Sequence, residues 1–395
     1  MARILFTWEL GEGNGHIVPH FDLLSRLVKK GHKVFFAAKN LSLAHNFLGP
    51  IGVKCLQAPT HHIITKKKQI KVYTFANLLN NIGYYDKNIT SGLVCGWYNL
   101  FNLLKPKLII FDHSPTALLA SRDLNIKRIQ YGLGFYTPPE TYPLENMNEF
   151  QKLNISQRKM DENRLITQIN HSLESIHSKP LKTVSELFKT DSNILRTYKE
   201  LDHYSSRLRK SATYLGLVGR PSIGSKPKWP KGTKRIFAYL KPCKALPEIL
   251  YFLNKLELAT LVVCNGINSD FQKKHCSQYL YFSSKLYDQL KILNDCELTI
   301  TNGTGTATES LLAGKPVLML PTNLEQLMTA YRVQEIGAGL YTHASNPVKL
   351  ESKLKMLLET DSFKIEAINF ASKYSSFERQ ASLDKMIKLV DDSVI

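Results

Sequence analysis

The chain has 395 residues, of which 43% are apolar, and it carries a formal net charge of +19 at pH 7. This length exceeds the size at which one hydrophobic core usually stops growing, so two domains are expected. The six cysteines are scattered without a Cys-x-x-Cys pair, which gives no support to a zinc site or a disulfide framework.

The positive charge favours anionic partners such as phosphates or an acidic membrane face, although lysines can also be plain solvated surface. No aromatic-interleaved nucleic-acid module accompanies the basic segments, so no nucleic-acid partner is expected. Since no export signal is recognisable and no uncharged apolar run approaches about 18 residues, we expect a cytoplasmic protein and leave peripheral membrane contact open. The basic segments are residues 65–71, 207–210 and 226–235.

In the first part of the chain, short apolar runs alternate with segments of helical spacing. This alternation predicts a parallel sheet covered by helices that ends near residue 140. The runs are ARILFTW, HKVFFAAK, KLIIFDH and IKRIQYG. From 138 to about 210 the sequence is polar and helix-like without clear strands, which predicts a helical insertion in a first domain spanning 1–212.

The second part of the chain begins after a stretch dense in Gly, Pro and Ser, residues 213–233, which predicts a linker. After it the alternation resumes with RIFAYLKP, ATLVVCNG, ELTITNG and KPVLMLP. These runs predict a second α/β domain over 234–395, whose last helix could cross back to the first domain.

The loop FTWELGEGNGHIVP, residues 6–19, resembles half of a dinucleotide-binding fingerprint. The third glycine of that pattern is replaced by His16, and the following strand ends in Lys39 and Asn40 without a carboxylate for the ribose. The glycines therefore serve the turn from strand to helix, and His16 becomes a candidate base at the helix start.

The segment LTITNGTGTATESLLAGKPVLMLPTNLEQ, residues 298–326, contains a second glycine loop between a strand and a helix. Gly303 and Gly305 would let main-chain amides approach a ligand, and three threonines add hydroxyl donors at a helix N-terminus. Those are the ingredients of a phosphate cradle. The Walker spacing is absent, so a P-loop is not predicted.

This whole segment resembles the C-terminal donor-binding signature of the UDP-glycosyltransferase family, the GT-B enzymes that include macrolide and antibiotic glycosyltransferases. GEGNGHIVP is similar to that family's first loop, which ends in a catalytic histidine followed by a proline. LKPKLIIFDHSPTALLASRDLNIKRIQYG resembles the region whose aspartate partners that histidine, and ILRTYKELDHYSSRLRKSATYLGLVG resembles the approach to the interdomain linker. The resemblance implies an α/β protein of two facing Rossmann-like domains with an interdomain cleft, the first binding mainly acceptor and the second the nucleotide sugar.

Carried over residue by residue, the resemblance implies that His16 is the general base and that Asp112 orients its imidazole and stabilises the imidazolium. Two alternatives stay open, since Asp112 could instead cap the helix that begins SPTALLA, or His113 could be the relevant neighbour. On the acceptor side we expect Gly13 and Gly15 of the first loop, together with Phe135 and Tyr136, whose aromatic side chains suggest an apolar or aromatic acceptor.

On the donor side the resemblance assigns Glu309 to the ribose hydroxyls, and Gly303, Thr304, Gly305 and Thr306 to the diphosphate. It assigns Glu325 and Gln326 to the donor sugar. It assigns Leu286 and Tyr287 to the wall that contacts the nucleotide base of the donor. The chain departs from the family at Thr301, where a histidine is usual. Our hypothesis is that Lys241 supplies the missing positive charge to the phosphates.

The resemblance therefore implies an inverting, hexosyl-type transfer from a UDP- or dTDP-sugar to a small-molecule or lipid acceptor. With no Asp-x-Asp motif to carry Mg²⁺ on the diphosphate, we expect metal independence and no cofactor beyond the sugar nucleotide itself. The alternatives are a lipid-linked-sugar glycosyltransferase or nucleotide-sugar epimerase on the same scaffold, and a non-catalytic binding protein. The sequence leaves the oligomeric state unpredicted.

Overall fold

The computed structural model separates into two compact units, Met1–Arg220 together with Arg379–Ile395, and Pro221–Glu378. It describes residues 1–61, 70–148, 151–204, 212–218, 224, 227–232, 234–284, 287–343 and 349–394. Leu286 and the basic segment 207–210 lie outside the described residues, as do parts of the other two basic segments. Within the described ranges, no helix is both long and apolar enough to cross a membrane.

The first unit is built on a seven-stranded sheet in which every pairing is parallel, in the order β3-β2-β1-β4-β5-β6-β7. The order reverses between β1 and β4, and ligands of such sheets bind beyond the carboxyl ends of the strands at this switch point. The strands are β1 Arg3–Trp8, β2 Lys33–Ala38, β3 Lys54–Gln57, β4 Leu108–Asp112, β5 Lys127–Gly132, β6 Ser192–Leu195 and β7 Thr213–Tyr214.

Helices cover this sheet, and their apolar faces are buried against it or against one another. In α1, for example, Leu23, Leu24 and Leu27 are buried with Ile4 and Phe6 of β1 in one core. Each such side chain contributes about 1.5–3 kcal/mol when fully buried. The helices are α1 Phe21–Lys29, α2 Leu41–Leu48, α3 Phe75–Leu79, α4 Lys87–Leu104, α5 Pro115–Ala120 and α6 Ile155–Glu174.

The last helix of the chain, Arg379–Val394, also belongs to the first unit. Its apolar face packs into the same core as α1 through Leu383, Met386, Ile387 and Val390. Ion pairs with α1 flank this contact, including Arg26 with Asp384. The chain therefore returns to the first unit at this helix.

The region from 138 to 233 differs from the sequence-based expectation. It contains the predicted helical segment as α6, but it also contains β6, and β7 lies in the stretch predicted to be a linker. The first sheet therefore does not end near residue 140. Both strands escaped prediction because they are four and two residues long, and only Ile194 and Leu195 of β6 are apolar and buried.

The second unit holds a six-stranded parallel sheet in the order β10-β9-β8-β11-β12-β13, with its switch point between β8 and β11. The edge strands β10 and β13 have three residues each and were not predicted. The strands are β8 Arg235–Leu240, β9 Ala259–Cys264, β10 Leu280–Phe282, β11 Leu298–Thr301, β12 Val317–Met319 and β13 Gly339–Tyr341.

Helices of the second unit cover this sheet, and the first of them buries Leu246, Ile249, Leu250 and Leu253 in one core with the strands. The helices are α7 Leu246–Lys255, α8 Ser269–His275, α9 Gln289–Asp295, α10 Thr304–Leu312, α11 Leu324–Glu335, α12 Leu350–Glu359 and α13 Asp361–Lys373. The helix Arg379–Val394 is α14.

Candidate active site

The glycine loop after β1 gives the ring of His16 its place. Gly11 and Gly13 have φ angles of 84° and 81°, a left-handed conformation that favours glycine. A Cβ on Gly11 would lie 2.3 Å from His16 Nε2, so only glycine lets the ring sit against the loop. Gly15 has neither feature, since its φ is not positive and a Cβ there would meet nothing within 4 Å.

His16 lies beside Asp112 at the switch point of the first sheet. The register of β1 on β4 pairs Trp8 with Asp112, which brings the two strand ends together. His16 Nδ1 is 3.1 Å from Asp112 Oδ2, and the two residues are 6% and 2% exposed. The Trp8 ring stacks on the His16 ring with centroids 5.2 Å apart.

Asp112 does not cap α5, contrary to the first alternative left open by the sequence. The carboxylate that reaches this helix is that of Glu9, whose Oε2 accepts a hydrogen bond from the Thr116 amide at 2.9 Å. Glu9 Oε1 accepts a second bond from the Thr116 hydroxyl. Burial raises the pKa of Glu9 to about 7 against the opposing effect of these bonds.

Two further residues reach Asp112, and the sequence reading missed both. His20 Nε2 lies 2.8 Å from Asp112 Oδ2, the same oxygen that faces His16, and Arg196 Nη2 lies 3.9 Å from it. The four-residue spacing from His16 to His20 is the only local signal that could have found His20. Arg196 follows β6 and reaches the site only because β6 pairs with β5.

The charge state of Asp112 follows from these neighbours. Burial alone would raise the pKa of Asp112, but the charges and hydrogen bonds of His16 and His20 outweigh burial and hold the pKa well below its ordinary value. Burial has the dominant effect on His20 and lowers its pKa. The carboxylate is therefore ionised across the physiological range.

His113, the second alternative neighbour of His16, is held differently. Its ring stacks on Tyr136 at 4.3 Å and lies 6.0 Å from the His16 ring. Within the described residues, neither of its ring nitrogens has a hydrogen-bond partner. Burial, with the charge of His16, lowers the pKa of His113 to about 3, so this imidazole is neutral. Phe135 packs edge-on against the same ring.

The arrangement around His16 would allow this ring to accept a proton. With Nδ1 directed at an ionised carboxylate, the neutral imidazole carries its proton on Nδ1 and keeps the lone pair on Nε2. When Nε2 takes up a proton, the adjacent carboxylate stabilises the imidazolium. In the described part of the chain, no group of three or more His, Cys, Asp and Glu side chains has the geometry of a metal site.

The second glycine loop joins β11 to α10. Gly303 is the N-cap of α10, and its amide donates to the buried Thr301 hydroxyl at 3.0 Å, so this hydroxyl is turned onto the loop. Neither Gly303 nor Gly305 has a positive φ, and a Cβ on Gly305 would meet nothing within 4 Å. The packing of the protein itself therefore does not require a glycine at either position.

The first turns of α10 are lined by hydroxyls and one buried carboxylate. Thr304 shares a hydrogen bond with Thr329 at 3.0 Å, and the Thr308 hydroxyl donates to the Thr304 carbonyl at 3.0 Å. Thr306 is 9% exposed and Glu309 is 3% exposed. The loop thus gathers neutral donors at a helix N-terminus, where the helix dipole favours negative charge.

Asn302 connects the carboxyl ends of neighbouring strands in the second sheet. Its Oδ1 accepts from the Lys241 amide at 2.6 Å, and its Nδ2 donates to the Leu320 carbonyl. The side chain of Lys241 is exposed. Asn302 therefore ties the residues that follow β8 and β12 to the end of β11.

The remaining predicted donor residues lie in separate surroundings. Gln326 is buried in the first turn of α11, and its Oε1 accepts from both the amide and the hydroxyl of Thr322 at 2.8 Å. Glu325 precedes it and is half-buried. Tyr287 packs against the cluster of Phe237 and its neighbours and donates its hydroxyl to Ser283 at 2.6 Å. The Gln326 oxygen is thus already engaged within the protein.

No protein-family model matches the sequence, and no curated protein is similar enough to match it. Solved structures do match over the whole chain. The glycotransferase of kitacinnamycin is 16% identical, with a TM-score of 0.73 over 100% of this chain and 99% of the other. Glycosyltransferase VinC in complex with dTDP is 16% identical, with a TM-score of 0.69 over 99% and 100%. Spinosyn rhamnosyltransferase SpnG complexed with spinosyn aglycone is 14% identical, with a TM-score of 0.62 over 98% and 100%. This chain therefore has the GT-B fold, with its two Rossmann-like units, of macrolide and antibiotic glycosyltransferases.

Proposed function

We propose that the protein transfers a sugar from a UDP- or dTDP-sugar to the hydroxyl of an acceptor, with inversion at the anomeric carbon. The observation that carries the proposal is the buried pair of His16 and Asp112, 3.1 Å apart, at the switch point of a GT-B first sheet. A carboxylate-held imidazole is the group that a hydroxyl nucleophile needs, since it can take the hydroxyl proton as the new bond forms.

In the proposed step the acceptor oxygen attacks the anomeric carbon while the bond from that carbon to the diphosphate oxygen breaks. The acceptor proton passes to His16 Nε2, and the negative charge of Asp112 stabilises the resulting imidazolium. The bonding electrons leave with the nucleoside diphosphate. Because a single displacement occurs at the carbon, its configuration inverts.

The second glycine loop supplies the donor side of the proposal. The amides at the start of α10 and the hydroxyls of Thr304 and Thr306 would bind the diphosphate, and the helix dipole would stabilise its developing charge. The open space beside Gly305 supports this role because a phosphate could approach the main chain there. Glu309 would accept hydrogen bonds from ribose hydroxyls, and Lys241 would add positive charge. With donors of this kind and no Asp-x-Asp motif, we propose that the transfer needs no metal ion.

Two of the similar structures support the choice of substrates. VinC is in complex with dTDP, and SpnG is complexed with spinosyn aglycone. We therefore propose a nucleoside-diphosphate sugar as donor and a small organic molecule as acceptor. The buried rings of Phe135 and Tyr136, which pack around His113 beside His16, would form the acceptor-side wall.

The first test is thermal stabilisation by UDP, dTDP, GDP and NAD, since a ligand that binds only the folded state raises the melting temperature. We expect UDP or dTDP at millimolar concentration to raise it by several degrees, and Glu309→Gln to abolish the shift. Glu359→Gln, at an exposed position of α12, is the matched control and should behave as the wild type. No stabilisation by any of the four nucleotides would contradict the proposal.

A further inference from the structure

One oxygen of Asp112 lies within hydrogen-bonding distance of two imidazoles, those of His16 and His20. His20 has no part in the proton transfer described above. We infer that His20 is a positioning residue that sets the basicity of His16 through their shared partner Asp112. This inference rests on the proposed role of His16 as the base. The juxtaposition that carries it is His16 Nδ1 at 3.1 Å and His20 Nε2 at 2.8 Å from the same Oδ2.

The surroundings of His20 fix its protonation state. It is fully buried, and the rings of Phe6, Phe36 and Tyr131 lie 5.8, 6.3 and 5.3 Å from its own. Among the described residues its Nδ1 has no hydrogen-bond partner. A second proton on Nδ1 would be a buried N–H donor without an acceptor among the described residues, and burial lowers the pKa of His20 against the opposing effect of Asp112. His20 is therefore neutral, with its proton on Nε2, and donates to Asp112.

The donor on His20 limits how strongly Asp112 can stabilise the His16 imidazolium. Oδ2 already accepts from His20 and faces the Arg196 guanidinium at 3.9 Å, so only part of its charge acts on His16. The other oxygen, Oδ1, has no hydrogen-bond partner within the described residues and faces Gly132. Removing the His20 donor would concentrate the negative charge on His16, which would then hold its proton to a higher pH.

Other charged and titratable groups around His16 come from several elements. They are His113 after β4 and Tyr136 after β5, whose rings lie 6.0 and 5.7 Å from that of His16, Tyr131 on β5 and Arg196 after β6, which lie near His20 and Asp112, and Lys39 after β2, which donates to the Gly11 carbonyl at 3.1 Å. A substitution at position 20 replaces none of these side chains, but it removes the contact of the His20 ring with Tyr131. A difference in the His16 titration between two variants that both lack this ring, one with an N–H donor and one without, would therefore report on the hydrogen bond to the shared carboxylate.

The experiment is a pH titration followed by ¹⁵N NMR of the histidine rings in the labelled full-length protein, which has twelve histidines. His16 and His20 are assigned by the signals that His16→Gln and His20→Gln remove. In the wild type at neutral pH we expect His20 to be uncharged with its proton on Nε2, because burial lowers its pKa. A proton on Nδ1 at neutral pH, or a charged His20 ring there, would overturn the inference without any variant having to fold.

Two variants at position 20 then test the coupling. His20→Gln keeps an N–H donor near the place of Nε2, whereas His20→Met has a similar length and no donor. We expect the midpoint of the His16 titration to rise by about 0.5 to 1 pH unit in His20→Met and to stay near the wild-type value in His20→Gln. A purely structural role predicts lower melting temperatures in both variants with no difference between their titrations, and that result would overturn the inference.

These measurements need neither donor nor acceptor, so they stand or fall separately from sugar transfer. If no nucleotide stabilises the protein but the expected titrations are seen, the coupling holds and the proposed function fails. With an acceptor in hand, the acidic limb of the kcat/KM profile should move to higher pH in His20→Met and return in His20→Gln. An unmoved limb would show that Asp112 does not transmit the change to the base.

Discussion

Asp112 in the first unit and Asn302 in the second stand at corresponding places, at the end of the strand that pairs with the first strand of each sheet. Each accepts a hydrogen bond from the loop that follows that first strand. Asp112 accepts from His16 at 3.1 Å, and Asn302 accepts from the Lys241 amide at 2.6 Å. The two side chains have nearly the same shape and differ in charge.

Under the proposed function, that difference suits the two positions to different chemistry. Asp112 is buried and ionised, and its partners His16, His20 and Arg196 are groups that can carry positive charge. Asn302 is equally buried but neutral, and both of its polar atoms bond to main chain. A carboxylate at the strand ends of the first sheet favours proton transfer. An amide at the strand ends of the second sheet connects the strands without repelling an anion.

Exchanging the first of these groups should have the largest effect. Asp112→Asn would turn an N–H toward His16 Nδ1 or leave it weakly bound, which disfavours the tautomer that keeps Nε2 free. We expect sugar transfer to fall by about a thousandfold while the affinity for UDP or dTDP stays unchanged. Steady-state kinetics and calorimetric titration measure the two quantities. A loss of less than about tenfold would mean that the carboxylate is not needed, and the contrast with Asn302 would lose its meaning.

The reverse exchange, Asn302→Asp, should have a moderate effect on the other quantity. A new negative charge beside the proposed diphosphate site would weaken UDP or dTDP binding by about tenfold, equivalent to about 1.4 kcal/mol. Calorimetric titration of the folded variant measures it, and Asn294→Asp adds the same charge at an exposed position of α9 as a control. Equal affinity in both variants would mean that the diphosphate does not bind near Asn302.

The fold was predictable because its central strands are buried and apolar throughout. β4, for example, reads LIIFD and is buried at every position, and runs of this kind marked most of the central strands. The short strands β3, β6, β7, β10 and β13 were missed. Their two to four residues are too few to show a period, and pairing in the sheet rather than local preference makes them strands.

The candidate site was predictable where its residues carry a local signal or match the motifs of the family that the sequence resembles. Glycines beside His16 and the strand end at Asp112 drew attention to that pair. Arg196 lies 84 positions after Asp112 and is brought near by the pairing of β6 with β5, which no local pattern encodes. Gln326 shows a second limit of prediction. The family resemblance predicts that its side chain binds the donor sugar, whereas in the structure its oxygen accepts hydrogen bonds from Thr322.

The smallest expected effect concerns Glu9, which follows β1 and is the second buried carboxylate at the strand ends of the first sheet. Burial raises the pKa of Glu9 from 4.5 to about 7. Because the folded state binds this proton more tightly than the unfolded state does, the contribution of Glu9 to stability falls as the pH rises from about 4.5 to about 7. Glu9→Gln removes this dependence. We therefore expect the melting temperature of the wild type, relative to Glu9→Gln, to decrease by about 2 to 6 °C across that range.

Differential scanning calorimetry at several pH values measures the difference. Burial lowers the pKa of both His20 and His113, so they destabilise the folded state as the pH falls below about 6.5, but they do so equally in both proteins and cancel. Glu12→Gln, in the same loop but exposed, should parallel the wild type at every pH. A constant offset between wild type and Glu9→Gln would mean that Glu9 stays ionised. Asp112 and Glu9 would then both be buried and ionised at the carboxyl ends of the first sheet. The positive neighbours of Asp112 would no longer explain a difference in charge between the two groups.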